Sequence, residues 1–410
     1  AAKAYAAYLE RFPDTPSSYE YRFNYAESLY YSDQHLEAAQ AYADVRDSNI
    51  DNRLQEDAAT GAVLAFEAYI EAETQAGRLA VPEMPKQGVA QGPFEPKQIP
   101  ELMLALRDAY DRFAQVRPDS EQTPSMRYLA GEVSQRYYHF EDAQTRFVDV
   151  IERHCDDNVA INAGTAILDA HVVREDLEGA QKWTETLMKK GCGEGDEAAK
   201  FAGDLKTLGN AVRFQEATLL YEAGEFEAAA DRYVALVDQA PDDPNADRAL
   251  NNAAVAYENI GRFGSASQTY KRIYTKYPDS EFADDALLRT GFNHSRFFEF
   301  DDALQSYLVL AQDERYKDSE HRDPALWNAA DLLDNLQDYK KSAAMYQRYA
   351  QSSADQEKAA EALFRSAQVL GKTSDHRGTI AAYESFLARH GNEPQQSERA
   401  IEAQLRIGQA

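Results

Sequence analysis

The stretch GRFGSASQTYKRIYTKYPDS, residues 261–280, opens on a turn glycine, runs through an amphipathic segment and stops at Pro-Asp-Ser. Its frame is Phe263, Ala266, Tyr270, Ile273 and Pro278. Ala266 and Tyr270, four apart, share one helix face. Pro278 cannot continue a helix, and the Asp and Ser after it supply a cap for the next one. The same small-then-aromatic frame recurs at Ala38 and Tyr42, Leu106 and Tyr110, Ala143 and Phe147, Ala180 and Thr184, Ala229 and Tyr233, Ala303 and Tyr307, Ser342 and Tyr346, and Thr379 and Tyr383. The usual spacing is 37 residues, a period that marks a helical solenoid.

Each unit holds two helices. The first carries a small residue at its middle: Ala26, Gly131, Ala217, Ala254, Gly291, Ala330 and Ala367. A small side chain there lets the second helix approach closely. FPDT at Phe12, RPDS at Arg117, APDD at Ala240 and YPDS at Tyr277 provide the stop and the cap. This pattern resembles the tetratricopeptide repeat (TPR) family over nearly the whole chain. The resemblance implies an all-α, right-handed superhelix (an α-solenoid) of about ten helix pairs. The wording YPDSEFADDALLRTG at Tyr277 to Gly291 is similar to a bacterial cell-envelope subset, namely outer-membrane assembly lipoproteins and Tol–Pal coordinators. Thr184 in the aromatic place and Leu106 in the small place depart from the pattern.

The chain reads as a single solenoid over 1–410, a piece of a longer protein, because it opens and closes inside repeats. Two places break the spacing. Residues 78–100, RLAVPEMPKQGVAQGPFEPKQIP, carry five Pro and cannot be helical; they divide the two helices of one pair. They are an insertion loop that either binds a partner or is a tolerated, removable surface loop. Residues 193–210 form an irregular join: 195–223 reads either as one overlong first helix or as a short extra helix ending near Gly209.

Composition narrows the function. With 43 Lys plus Arg against 70 Asp plus Glu, the net charge of −27 argues against nucleic acid and against an anionic membrane surface. No apolar run is long enough to span a bilayer. Gly371-Lys372-Thr373 lacks the earlier glycine of a phosphate loop, since Ser366 stands there. The eight His are scattered, and His294 reads as a packing or groove residue. No catalytic, cofactor or metal site is read, so the chain is expected to be no enzyme. Cys155 and Cys192 stand 37 residues apart in one phase. Equivalent helix ends lie roughly 10 Å apart, whereas a disulfide needs Cα atoms within about 7 Å. A bridge and two free thiols both stay open; a bridge favours an oxidising compartment.

The resemblance also implies that first helices line a concave groove. Carried onto this sequence, the groove residues are Phe23, Tyr128, Phe214, Asn251, Leu288, Phe292, Trp327, Asp331 and Phe364, with Glu27, Glu132, Thr218, Val255 and Gln368 in the second set. These aromatics either anchor an extended or helical peptide or pack between repeats. Asn251, Arg289 and Arg296 are the nearest candidates for a clamp on a C-terminal carboxylate. The function implied is a protein-binding scaffold in a multi-protein complex of the bacterial envelope, periplasmic or attached to the outer membrane. The alternative is a regulatory or chaperone-like module of a larger cytoplasmic protein.

Overall fold

The computed structural model describes residues 1–48, 50, 52–86 and 92–410. Among them the regular structure is twenty α-helices and two single 3-10 turns, with no strand. The chain divides into two compact units, residues 1–212 and 213–410.

In the first unit α1 (Ala2–Arg11) precedes four pairs: α2 (Ser18–Tyr30) with α3 (His35–Asp47), α4 (Gln55–Gln75) with α5 (Glu101–Val116), α6 (Thr123–Arg136) with α7 (Phe140–Arg153), and α8 (Val159–Val173) with α9 (Leu177–Lys190). Helix α10 (Gly195–Glu222) begins in this unit and ends in the second. In the second unit the end of α10 pairs with α11 (Phe226–Gln239). There follow α12 (Ala246–Asn259) with α13 (Phe263–Lys276), α14 (Ala283–Arg296) with α15 (Phe300–Gln312), α16 (Arg322–Asn335) with α17 (Tyr339–Ser352), α18 (Gln356–Leu370) with α19 (His376–His390), and α20 (Ser397–Gln409). Within each unit, helices pack mainly on their neighbours in sequence, which is how a solenoid is stabilised.

The pair interface follows from one size rule. The mid-helix small residue meets the aromatic sixteen positions later, as Gly131 meets Phe147 and Gly291 meets Tyr307. A β-carbon at Gly131 would lie 2.6 Å from the Phe147 ring, and one at Gly291 only 2.3 Å from Tyr307. In the pair α8–α9 the sizes are exchanged. Buried Leu168 takes the small place and buried Thr184 the aromatic place, with its hydroxyl donating to the Ala180 carbonyl at 2.7 Å. The larger residue thus stands on α8 and the smaller on α9 at these two places. Leu106 is likewise buried.

Six pairs turn from first to second helix in three residues. The middle residue of each turn has left-handed φ: Tyr138 at 65°, Glu175 at 58°, Gly224 at 80°, Gly261 at 73°, Phe298 at 61° and Gln337 at 65°. Only two of the six are glycine, although this backbone region costs a residue with a β-carbon.

Of the two readings for residues 195–223, the overlong helix is the one observed: α10 is continuous for 28 residues. Gly209 does not end it. Its missing side chain admits Thr184, whose Cγ2 would lie 3.2 Å from an added β-carbon. Residues 78–86 and 92–100 are non-helical, as the prolines require, and residues 87–91 of the insertion lie outside the described residues.

Cys155, just past α7, and Cys192, just past α9, form a disulfide, with Cα atoms 4.6 Å apart. The linker makes the approach. Gly193 has φ of 90° and donates its amide to the Cys155 carbonyl at 2.7 Å. A β-carbon there would lie 2.5 Å from Ile161. Closing a loop of 37 residues stabilises the unit by about 4 kcal/mol on the chain-entropy account.

Candidate functional site

The first-helix aromatics share one packing habit. Phe23 meets Tyr42 at 5.7 Å, Tyr128 meets Phe147 at 5.5 Å and Phe214 meets Tyr233 at 5.2 Å. Trp327 meets Tyr346 at 5.5 Å and Tyr349 at 5.1 Å, and Phe364 meets Tyr383 at 5.8 Å and Phe386 at 5.3 Å. Each therefore covers the second-helix aromatic of its own pair. Phe23, Tyr128, Phe214 and Trp327 are half-buried, whereas Leu288 and Phe364 are buried. Phe292 is the most open of the predicted apolar set, 47% exposed, with Tyr307 as its ring neighbour at 6.1 Å.

The acidic positions are also engaged. The Tyr42 hydroxyl donates to Glu27 and that of Tyr346 to Asp331, while Tyr233 and Thr218 share a hydroxyl bond of 2.8 Å. Asp331 also accepts from Arg365 at 3.3 Å, and the Arg365 guanidinium lies 5.0 Å from the Trp327 ring centre. Burial, then the neighbouring carboxylates, pushes the Tyr42 and Tyr346 phenols well above their ordinary range. These carboxylates serve the pair interface before they can serve a ligand.

In the second unit α12, α13 and α14 enclose a recess of about 400 Å³ lined by Glu258, Phe263, Asp285, Leu288, Arg289, Phe292, Asn293 and Arg296. Glu258 is saturated. It accepts from Arg289 at 2.9 Å, Asn293 at 2.8 Å and Tyr270 at 3.3 Å. Arg289 also donates to Asp285 at 2.7 Å. Arg296 is exposed, stacks over Phe263 at 4.7 Å and has no ion pair among the described residues. Asn251 does not line this recess, and its Oδ1 is buried without a hydrogen-bond partner among the described residues. The three clamp candidates are therefore not gathered in one recess. Phe297 and Phe298, on the turn after α14, are 53% and 79% exposed.

The first unit shows the insertion seated against its own helices. The Pro82 carbonyl accepts from Arg136 at 2.8 Å. Met84 packs on the same apolar cluster as Tyr128. Burial raises the Asp169 carboxyl pKa, and the Lys86 ammonium opposes that rise. Phe94 meets Tyr138 at 5.4 Å and Phe140 at 6.2 Å. Lys97 places its Nζ 4.3 Å from the Tyr138 ring centre. The Lys97 amide donates to the Tyr137 carbonyl at 2.9 Å, and its carbonyl lies 2.8 Å from His139 Nε2. The described parts of the insertion are docked, and the docking turn, QRYYHF at 135–140, lies outside the small-to-aromatic frame. The signal was available: SRFFEF at 295–300 repeats its arginine, paired aromatics and final phenylalanine.

His294, Glu299 and Asp302 bring one ligand-type atom each within 4.8 Å of one another. The His294 Nδ1 contact with Glu299 at 2.5 Å has a counterpart in His171 and Asp176 at 2.7 Å, in the pair α8–α9. Both join the last turn of a first helix to the cap of its second helix, a structural use for the histidine. No described helix is long and apolar enough to cross a membrane.

Stacked two-helix units with buried small-to-aromatic interfaces define an α-solenoid. Residues 214–281 match the family model described as a tetratricopeptide repeat, and the helix pairs of the chain have the all-helical arrangement of that repeat. No curated protein matches it. Among solved structures it is similar to the C-terminal part of a TPR repeat-containing protein from Cytophaga hutchinsonii, at 15% identity over 69% of this chain and 98% of that one, with a TM-score of 0.32. It is also similar to a tetratricopeptide repeat protein from Parabacteroides merdae, at 10% identity over 83% of this chain and 98% of that one, with a TM-score of 0.24. Tetratricopeptide repeats are in general protein-interaction scaffolds, and proteins are the ligand class they take.

Proposed function

We propose that this chain is a non-enzymatic scaffold that captures peptide or protein partners on its first-helix face, within a multi-protein complex of the bacterial cell envelope. Assembly, motility, secretion and envelope coordination are the processes this covers. The observation that supports the compartment is the Cys155–Cys192 bridge, because such a bond persists outside the reducing cytosol. Capture is supported by Phe292 and Arg296, an exposed ring and a cation with no ion pair among the described residues, beside the same recess. The −27 net charge keeps the scaffold soluble and favours basic or neutral partners.

Thiol trapping tests the compartment. Cells producing the native chain are quenched in acid and alkylated before and after reduction. Protection of both cysteines until reductant is added is the result expected. Two thiols alkylated at once in unreduced cells would overturn the envelope assignment and leave the cytoplasmic module in its place.

A further inference from the structure

The chain contains two turns of the same chemistry, and one of them shows what such a turn holds. Arg136 closes α6 and Arg296 closes α14; Phe140 opens α7 and Phe300 opens α15. Between them stand Tyr137-Tyr138 in one turn and Phe297-Phe298 in the other. The middle aromatic has left-handed backbone in both, φ of 65° at Tyr138 and 61° at Phe298. Its ring lies 5.9 Å from Phe140 in the first turn and 5.8 Å from Phe300 in the second, stacked in one and edge-on in the other.

Tyr138 repays its backbone cost by gripping the insertion: Phe94 sits edge-on to it and Lys97 lies over its face. Phe298 has the same backbone and is 79% exposed. Glycine fills the equivalent place at Gly224 and Gly261, so the fold does not ask for an aromatic there. Phe297 beside Phe298 is also exposed, so two adjacent large apolar side chains face solvent at this turn. The turns also differ. His139, beside the Lys97 carbonyl, is replaced by Glu299, while an exposed acidic pair follows both turns, Glu141-Asp142 in the first and Asp301-Asp302 in the second. The second turn therefore presents one more carboxylate beside its acidic pair, which suits a basic side chain over the ring.

Resting on the scaffold reading above, we infer that the turn Arg296–Phe300 is a docking site for an extended segment of a separate protein, carrying an aromatic residue and, three positions later, a lysine or arginine. Proline beside these residues keeps such a segment extended and lowers the entropy lost on docking. The aromatic meets Phe298 and Phe300, and the cation lies over the Phe298 ring, as Phe94 and Lys97 do at Tyr138.

The probe is a labelled synthetic peptide, GPFEPKQIP, the chain's own residues 92–100, titrated into the intact protein and followed by fluorescence anisotropy. Saturable binding is expected, weakened about tenfold by Phe298→Gly and by replacing the peptide lysine with alanine, a loss in line with removing one cation–π contact and one ring pair. Phe298→Gly suits the left-handed backbone, and a melting curve confirms that it folds. Gln337→Gly, at the equivalent place in the next pair, should leave the peptide affinity unchanged. No saturable binding at millimolar peptide, or a Phe298→Gly affinity within twofold of the native chain, overturns the inference. Self-association that Phe94→Ala abolishes would make the occupant a second copy and overturn the separate-protein assignment. Peptide failure alongside Phe292-dependent partner capture removes this site alone; loss of both removes the scaffold reading.

Discussion

Phe292 and Phe364 stand on equivalent first helices, yet alanine should affect them in opposite ways. Phe364 is 5% exposed and lies between Tyr383 and Phe386. Truncating a ring so enclosed leaves a cavity and costs about 4 kcal/mol. Phe292 is 47% exposed and has Tyr307 as its ring neighbour. About half the transfer free energy of a phenyl group is at stake there and no closed cavity forms, so the loss is about 1 kcal/mol. In a body of roughly 200 residues, 1 kcal/mol moves the melting temperature by about 3 °C. Phe292→Ala should thus melt about 3 °C low and Phe364→Ala about 12 °C low. Because solenoid stability is a sum over neighbouring repeats, amide exchange in α18 and α19 is the sharper readout for Phe364. Partner capture is measured by crosslinking pull-down with each variant. Phe292→Ala should lose capture and keep its fold; Phe364→Ala should show fast exchange in α18 and α19. The reasoning fails if Phe292→Ala melts as low as Phe364→Ala, or if Phe364→Ala loses capture with its melting unchanged.

Gly131→Ala and Gly203→Ala are the same chemical change with opposite expected signs. The new methyl at 131 would meet three Phe147 ring atoms within 3.1 Å, so an overpacking cost of about 2–3 kcal/mol exceeds the roughly 1 kcal/mol of helix propensity gained. At 203, exposed in α10, nothing lies within 4 Å and up to about 1 kcal/mol of stability is gained; urea melts that rank the two the other way would refute the packing account. Asp176 caps α9 through the Gly179 amide and also bonds His171; both hold its carboxyl below the usual carboxylate range. Its contribution is full above the unfolded value of about 3.9 and is lost as pH falls through the lower folded value. Asp176→Ala should cost about 1 kcal/mol at neutral pH and flatten the acid limb of stability; an unchanged limb in denaturant midpoints taken down to about pH 2 would remove Asp176 from it.

The repeat itself was legible because one interface, small residue against aromatic, is written again every 37 residues. The cysteine phase was legible too, although spacing alone left the bridge undecided until the Gly193 linker drew the ends together. The groove was harder to read. A residue three before the mid-helix small position faces both its pair partner and the open face, so one hydrophobic letter encodes both anchor and packing. The acidic letters at Glu27 and Asp331 look like groove charge until the tyrosine hydroxyls opposite claim them. The turns at Tyr138, Glu175, Phe298 and Gln337 escaped notice because propensity leads one to expect glycine where φ is positive. The docking of the insertion depends on contacts between residues distant in sequence, which no periodic pattern records.

The connection between α4 and α5 bears on how the first unit assembles. It runs over residues 76–100, where most pairs need three residues to reverse. Closing roughly 25 residues instead of three adds about 2 kcal/mol of loop entropy, which raises the kinetic barrier to joining that one hairpin. The pairs α2–α3 and α6–α7 close through turns of four and three residues. The turn of α6–α7 holds Phe94 and Lys97, which ties down the end of the connection next to α5. The docked contacts of the insertion thereby offset part of the entropy that so long a connection costs.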